Sequence, residues 1–136
     1  MRIEHQFSIA GFEVSVSLPE GWDADTLLPS FRPFYGKKEG QEKALLKCTV
    51  CTSVENKAAM PSGELIENTL SDMGYVSLYK EAEGYCVTLS AEQGGTLHVM
   101  QADRRFSTVR VYLHEEDKRA GHALSSLLRI AYSQAV

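Results

Sequence analysis

The side chains that could do chemistry are few in this chain and mostly stand apart. Cys48 and Cys51 form a C-x-x-C, "CTVC", a spacing used in thiol redox exchange and in half of a zinc site. Redox use needs the first thiol activated at a helix N-terminus, and structural zinc needs four ligands. The motif falls instead within "ALLKCTVCTS", which reads as a strand with Leu46, Cys48 and Val50 on one face. Positions three apart in a strand point to opposite faces, so the two thiols are expected to diverge as half-buried strand cysteines. Cys86 stands alone, and no second C-x-x-C follows. His114 and His122 are separated by about two helical turns, with Glu115, Glu116 and Asp117 between them. Imidazole and carboxylate together could hold a divalent ion. The same acids also suit the solvated start of a helix, where the macrodipole favours them. His5 and His98 lie elsewhere. "GKKEG" and "EQGGT" do not stand between a strand and a helix as a phosphate cradle requires, and neither G-x-x-x-x-G-K-[ST] nor G-x-S-x-G occurs. The sequence therefore leads us to expect no catalytic residue, no metal ligand set and no cofactor in this chain.

A segment of a different kind is "WDADTLLPSFRPFY", which crowds Trp22, Phe31, Phe34 and Tyr35 around Arg32 in a proline-punctuated stretch. Such a loop must either pack over the core or expose apolar surface to a partner. Covering one edge of the core is the simpler use. A partner-binding surface is the alternative, because aromatic and arginine side chains are enriched among interface anchors. Trp22, Phe31, Arg32, Phe34 and Tyr35 are taken as the candidate contact residues.

The elements that must position these groups follow from periodicity. Phe7, Ile9, Phe12, Val14, Val16 and Leu18 alternate against Glu13, Ser15 and Ser17, as in a hairpin with one buried face. Asp23 or Asp25 is placed to cap one short helical turn that Pro29 ends, and the polar stretch 36–43 reads as a mobile loop. Residues 62–73 place Leu65, Ile66, Leu70 and Met73 near helical spacing, although Thr69 and the flanking Gly63 and Gly74 oppose a helix. Then "YVSLYKE", "YCVTLSA", "TLHVMQ" and "FSTVRVYL" are separated by short turn segments that demand antiparallel neighbours. The last segment repeats Ala120, Ala123, Leu124, Leu127, Leu128, Ala131 and Ala135 at helical spacing. The expected fold is α+β: a mainly antiparallel sheet of about six or seven strands, including a C-terminal four-strand meander, covered by a C-terminal helix.

Composition bounds the partners. A chain of 136 residues can bury about two-thirds of its unfolded surface as a single domain, residues 1–136, without staples. With 18 acidic and 14 basic residues the net charge is -4, which lacks the basic footprint that nucleic acid or anionic lipid requires. The opening residues lack a signal-peptide apolar run, no stretch is long enough to span a membrane, and three cysteines are an odd set, so a cytoplasmic location is expected.

"FSIAGFEVSV", "LLPSFRPF", "EGYCVTL" and "LSSLLRIAYSQAV" together resemble the N-terminal module that precedes the P-loop domain in bacterial proteins related to HPr kinase/phosphorylase and phosphoenolpyruvate carboxykinase. The resemblance is carried chiefly by F-x-I-x-G-F and S-F-x-P-F over nearly the whole chain. In that family the final helix leads into a strand and the nucleotide-binding segment, so the resemblance implies that the tail is a domain boundary. The family's P-loop and catalytic carboxylates are absent here, so phosphoryl transfer carries over to no residue. What the resemblance implies is a non-catalytic accessory or regulatory role beside a P-loop kinase-like domain, acting through protein contacts. A small-molecule-binding domain or small enzyme, with Cys48, His98 or His114 lining a cavity between sheet and helix, is the alternative expectation. A dedicated protein adaptor or inhibitor is a third.

Overall fold

The computed structural model describes residues 2–9, 12–23, 27–34, 45–51, 63–71, 74–90, 97–114 and 120–135. Eight strands build one sheet: β1 (Arg2–Ile9), β2 (Phe12–Pro19), β3 (Leu46–Cys51), β4 (Glu64–Ser71), β5 (Gly74–Lys80), β6 (Gly84–Ser90), β7 (His98–Asp103) and β8 (Thr108–Tyr112). Their spatial order is β1-β2-β3-β8-β7-β6-β5-β4. β2–β3 and β3–β8 are parallel and the remaining neighbours antiparallel. Among the described residues one helix, α1 (Ala120–Ala135), and a 3-10 turn, Pro29–Phe34, complete the α+β architecture. The four-strand meander is β5 to β8, as its short separators require.

Among the described residues the sheet has eight strands rather than six or seven, because Glu64–Ser71 forms β4 instead of helical structure. A register shift between Leu65 and Glu67 explains the misleading spacing. The bulge interrupts the alternation of faces, so Leu65, Ile66 and Leu70 mimic a helical stripe while the chain stays extended. Strand pairing with β5 outweighs the local pattern.

The principal core lies between the sheet and α1. Leu124, Leu127 and Leu128 are fully buried there against Val50, Val87, Met100, Val109 and Val111. Each such leucine contributes about 1.5–3 kcal/mol of burial. The small residues Ala120, Ala123 and Ala131 complete the buried stripe. Gly121 permits a close approach, since a Cβ there would stand 2.8 Å from the Leu27 carbonyl oxygen. Near the other end of α1, the Tyr132 hydroxyl donates to the Ile9 carbonyl at 3.0 Å, tying the helix to β1. A smaller cluster of Cys51, Cys86, Val99 and Tyr112 occupies the opposite face. Cys48 belongs to the principal core, so the two thiols of the C-x-x-C do lie on opposite faces. The polar stretch 36–43 and the acids at 115–117 lie outside the described residues.

Candidate interaction surface

The aromatic segment begins with a tight turn. Trp22 N–H donates to the Pro19 carbonyl at 3.2 Å, with Gly21 at a φ of 88° that favours glycine. The turn sets Trp22, half-buried, against the core. Leu27 N–H then donates to the Asp23 carbonyl at 3.0 Å, an i to i−4 bond, while residues 24–26 of the expected turn lie outside the described residues. Pro29 starts a 3-10 turn at that point. Phe31 leaves this turn for the core: it is 7% exposed and packs edge-on against Phe7, with centroids 5.5 Å apart at 85°. Phe34, three residues on, is 41% exposed. Phe31 and Phe34 line a cavity of about 200 Å³ that extends to Leu128, Arg129 and Tyr132 on α1. The Arg32 side chain and Tyr35 lie outside the described residues. The segment thus divides between core cover at Phe31 and solvent at Phe34.

The topology produces a second surface that the sequence did not suggest. Among the described residues α1 is the helix that covers the eight strands, and it packs over β3, β6, β7 and β8. On the same face beyond it, Ile66 of β4 and Val76 and Leu78 of β5 are left at least partly open to solvent. Ile66 is 51% exposed there, while Leu65 and Leu70, 49% and 66% exposed, stand on the opposite face across from Tyr79 and Tyr75. A groove of about 500 Å³ runs beside α1, lined by Ile66, Val76, Leu78, Tyr85, Phe106 and Ile130, with Glu67 and Arg104 also on its wall. Its floor is formed in an unusual way. Phe106 adopts a φ of 57°, uncommon for a bulky residue, and its ring stacks on Tyr85 with centroids 5.4 Å apart at 19°. Ring burial against the core holds a backbone conformation that costs about 1–3 kcal/mol.

That turn is braced by Asp103. Its carboxylate accepts from Ser107 N–H at 2.9 Å and Ser107 Oγ at 2.8 Å, with Thr108 N–H at 3.4 Å. Burial pushes the Asp103 pKa up, but the hydrogen bonds from Ser107, Thr108 and Arg105 outweigh it and leave the pKa below its ordinary value. Asp103 also borders a polar basin of about 600 Å³ with Gln101 and Arg110. A carboxylate already committed to its own turn is a structural group there rather than a reactive one.

The other groups considered for chemistry are placed as follows. Cys48, Cys51 and Cys86 are all buried thiols outside any disulfide. Burial, and secondarily the Glu81 charge, push the Cys86 thiol up to about 12, which keeps it protonated and poorly nucleophilic. His98 is buried, and its Nδ1 accepts from the His114 N–H at 3.2 Å, with the two rings 5.9 Å apart. That bond fixes the tautomer, since Nδ1 must be the unprotonated nitrogen. His122 is exposed on α1. Among the described residues no group of three or more His, Cys, Asp and Glu side chains could hold a metal ion. Cys48, His98 and His114 do not line the cavities described above.

No family model matches the chain, and comparisons with curated proteins and with solved structures return no match. Among the described residues no helix is long and apolar enough to cross a membrane.

Proposed function

We propose that this chain is a non-catalytic accessory domain of the cytoplasm that holds another protein, beside a P-loop kinase-like domain of the HPr kinase type. The observation that carries the protein-contact reading is the uncovered flank of the sheet. Ile66 and the groove beside α1 on one face, with Leu65 and Leu70 exposed on the other, make the β4 margin apolar on both sides, as contact sites are. The P-loop neighbour rests on the resemblance of the "FSIAGFEVSV" and "LLPSFRPF" segments. Phe34, exposed across α1 from that flank, offers a smaller second contact.

The test is association of the purified chain with a P-loop kinase-like protein from the same genome, followed by calorimetry and gel filtration. Ile66→Lys and Leu70→Lys replace exposed side chains, so both variants keep the fold. Each is expected to weaken binding by about tenfold or more. Binding untouched by both changes but lost with Phe34→Ala would move the contact to the aromatic segment. No association at all would reject the kinase-side reading.

The cavity beside Phe31 favours a second reading, a small-molecule-binding domain, because it is apolar and has Arg129 on its wall. Small aromatic carboxylates that raise the melting temperature in proportion to concentration would support it.

A further inference from the structure

We infer that the flank is engaged by strand addition: an extended partner segment, alternating apolar and basic residues, pairs with the free edge of β4. The inference rests on the protein-contact reading above and names the chemistry of the partner. β4 ends the sheet, and no further described strand stands beside it. A strand margin presents a row of unpaired N–H and C=O groups, which proteins usually blunt with lysine, proline or very short strands. β4 is 8 residues long and contains neither lysine nor proline. The opposite margin, β1, has a similar polar content, but Ile3 is its one exposed large apolar side chain among the described residues, where β4 exposes Leu65, Ile66 and Leu70.

The side chains of β4 specify what can be added. Opposite Leu78 and Val76, which belong to the α1 side, stand Glu67 and Thr69. Opposite Tyr79 and Tyr75, on the other face, stand Leu65 and Leu70. An incoming strand therefore meets Glu67 on one face and, on the other, Leu65 and Leu70 with Asn68 between them, bonded to Ser77. Lys80 stands across from Glu64 and Arg104 reaches the Ala82 carbonyl at 3.4 Å, whereas Glu67 faces Leu78. A cation on the added strand beside Glu67, and an apolar residue beside Leu70, would complete both faces. The bulge at Leu65/Glu67 limits the regular ladder to Glu67 through Ser71 and leaves Ile66 to the groove. Pairing β4 with β4 of a second copy would bring the glutamates of both strands onto one face with no base on either strand. The same charge pattern that welcomes a basic strand thus disfavours self-pairing.

The experiment uses the full chain, labelled with ¹⁵N, and a synthetic peptide of the length of β4 that alternates valine and lysine. Amide exchange in β4 from Glu67 to Ser71 is expected to slow by about tenfold at saturation, with β1 unchanged. A peptide with glutamate in place of lysine should bind about tenfold more weakly or worse, and one with central prolines should give no protection. Shifts spread over acidic side chains without slowed β4 exchange would mean bulk charge attraction and would overturn the inference. So would a peptide-free dimer whose β4 amides are already protected, since the occupant would then be a second copy. The same readout on the kinase-like complex separates the two claims. Perturbation of Ile66 and Tyr85 with unchanged β4 exchange would keep the contact surface and reject strand addition.

Discussion

Replacing Phe31 by alanine separates the two uses of the aromatic segment. The ring is 7% exposed and meets Phe7 edge-on at 5.5 Å, so its removal forfeits burial and an aromatic pair. Buried phenylalanine to alanine changes cost about 3–5 kcal/mol, and an edge-to-face pair accounts for about 0.5–1.5 kcal/mol of such a loss. One side of the ring already borders the cavity of about 200 Å³, where it lacks packing partners, so the lower end applies: about 3 kcal/mol. For a domain of this size that is a fall in Tm of about 10–15 °C. Phe34→Ala, at a position 41% exposed, should cost about 0.5–1 kcal/mol. Urea denaturation of both variants measures this directly, provided the m-value stays constant while the midpoint moves. A Phe7→Ala/Phe31→Ala cycle should return the pair energy as a coupling of about 0.5–1.5 kcal/mol. Equal losses at Phe31 and Phe34, or a Phe31 loss under about 1 kcal/mol, would refute the packing argument.

The thiols and Asp103 give two further tests. With Cys48, Cys51 and Cys86 all buried, and Cys86 at about 12, the native chain at pH 8 should resist an aromatic disulfide reagent that labels every thiol after unfolding. Because the Cys86 pKa is raised in the fold, its contribution to stability is present below the unfolded pKa, 9.0, and is lost as pH rises toward about 12. Fast labelling of one thiol in the native state would show that its cover opens readily. The Asp103 pKa is depressed in the fold, so its contribution is present above the ordinary carboxylate pKa and disappears as pH falls through the lower folded value. The stability gap between the wild type and Asp103→Asn should therefore be widest near neutral pH and close under acid. A gap independent of pH would assign the effect to packing.

The fold class was legible because two signals are local. The stripe from Ala120 to Ala135 has one period and faces one surface, and the short segments between β5, β6, β7 and β8 allow no arrangement but neighbours. β4 was obscured by its own bulge, which moves Ile66 and Glu67 out of alternation. The turn at Phe106 was equally hidden: "ADRR" suggests an exposed turn, and phenylalanine gives no sign of a left-handed conformation that only its buried ring sustains. For the aromatic segment, composition identified an unusual stretch but not the division of labour, since Phe31 and Phe34 leave the same side of a 3-10 turn and differ in depth, Phe31 reaching Phe7 and Phe34 staying 41% exposed. The groove could not be read from any window of sequence. It exists because β4 and β5 lie beyond the reach of α1, a consequence of strand order.

The most direct test of the contact surface is a ¹⁵N chemical-shift map of the chain titrated with a P-loop kinase-like protein. The account predicts saturable changes along β4 and β5 and at Tyr85, Phe106 and Ile130, with β1 and the polar basin around Arg110 unaffected. Saturable changes centred on Trp22 and Phe34, with β4 silent, would contradict it.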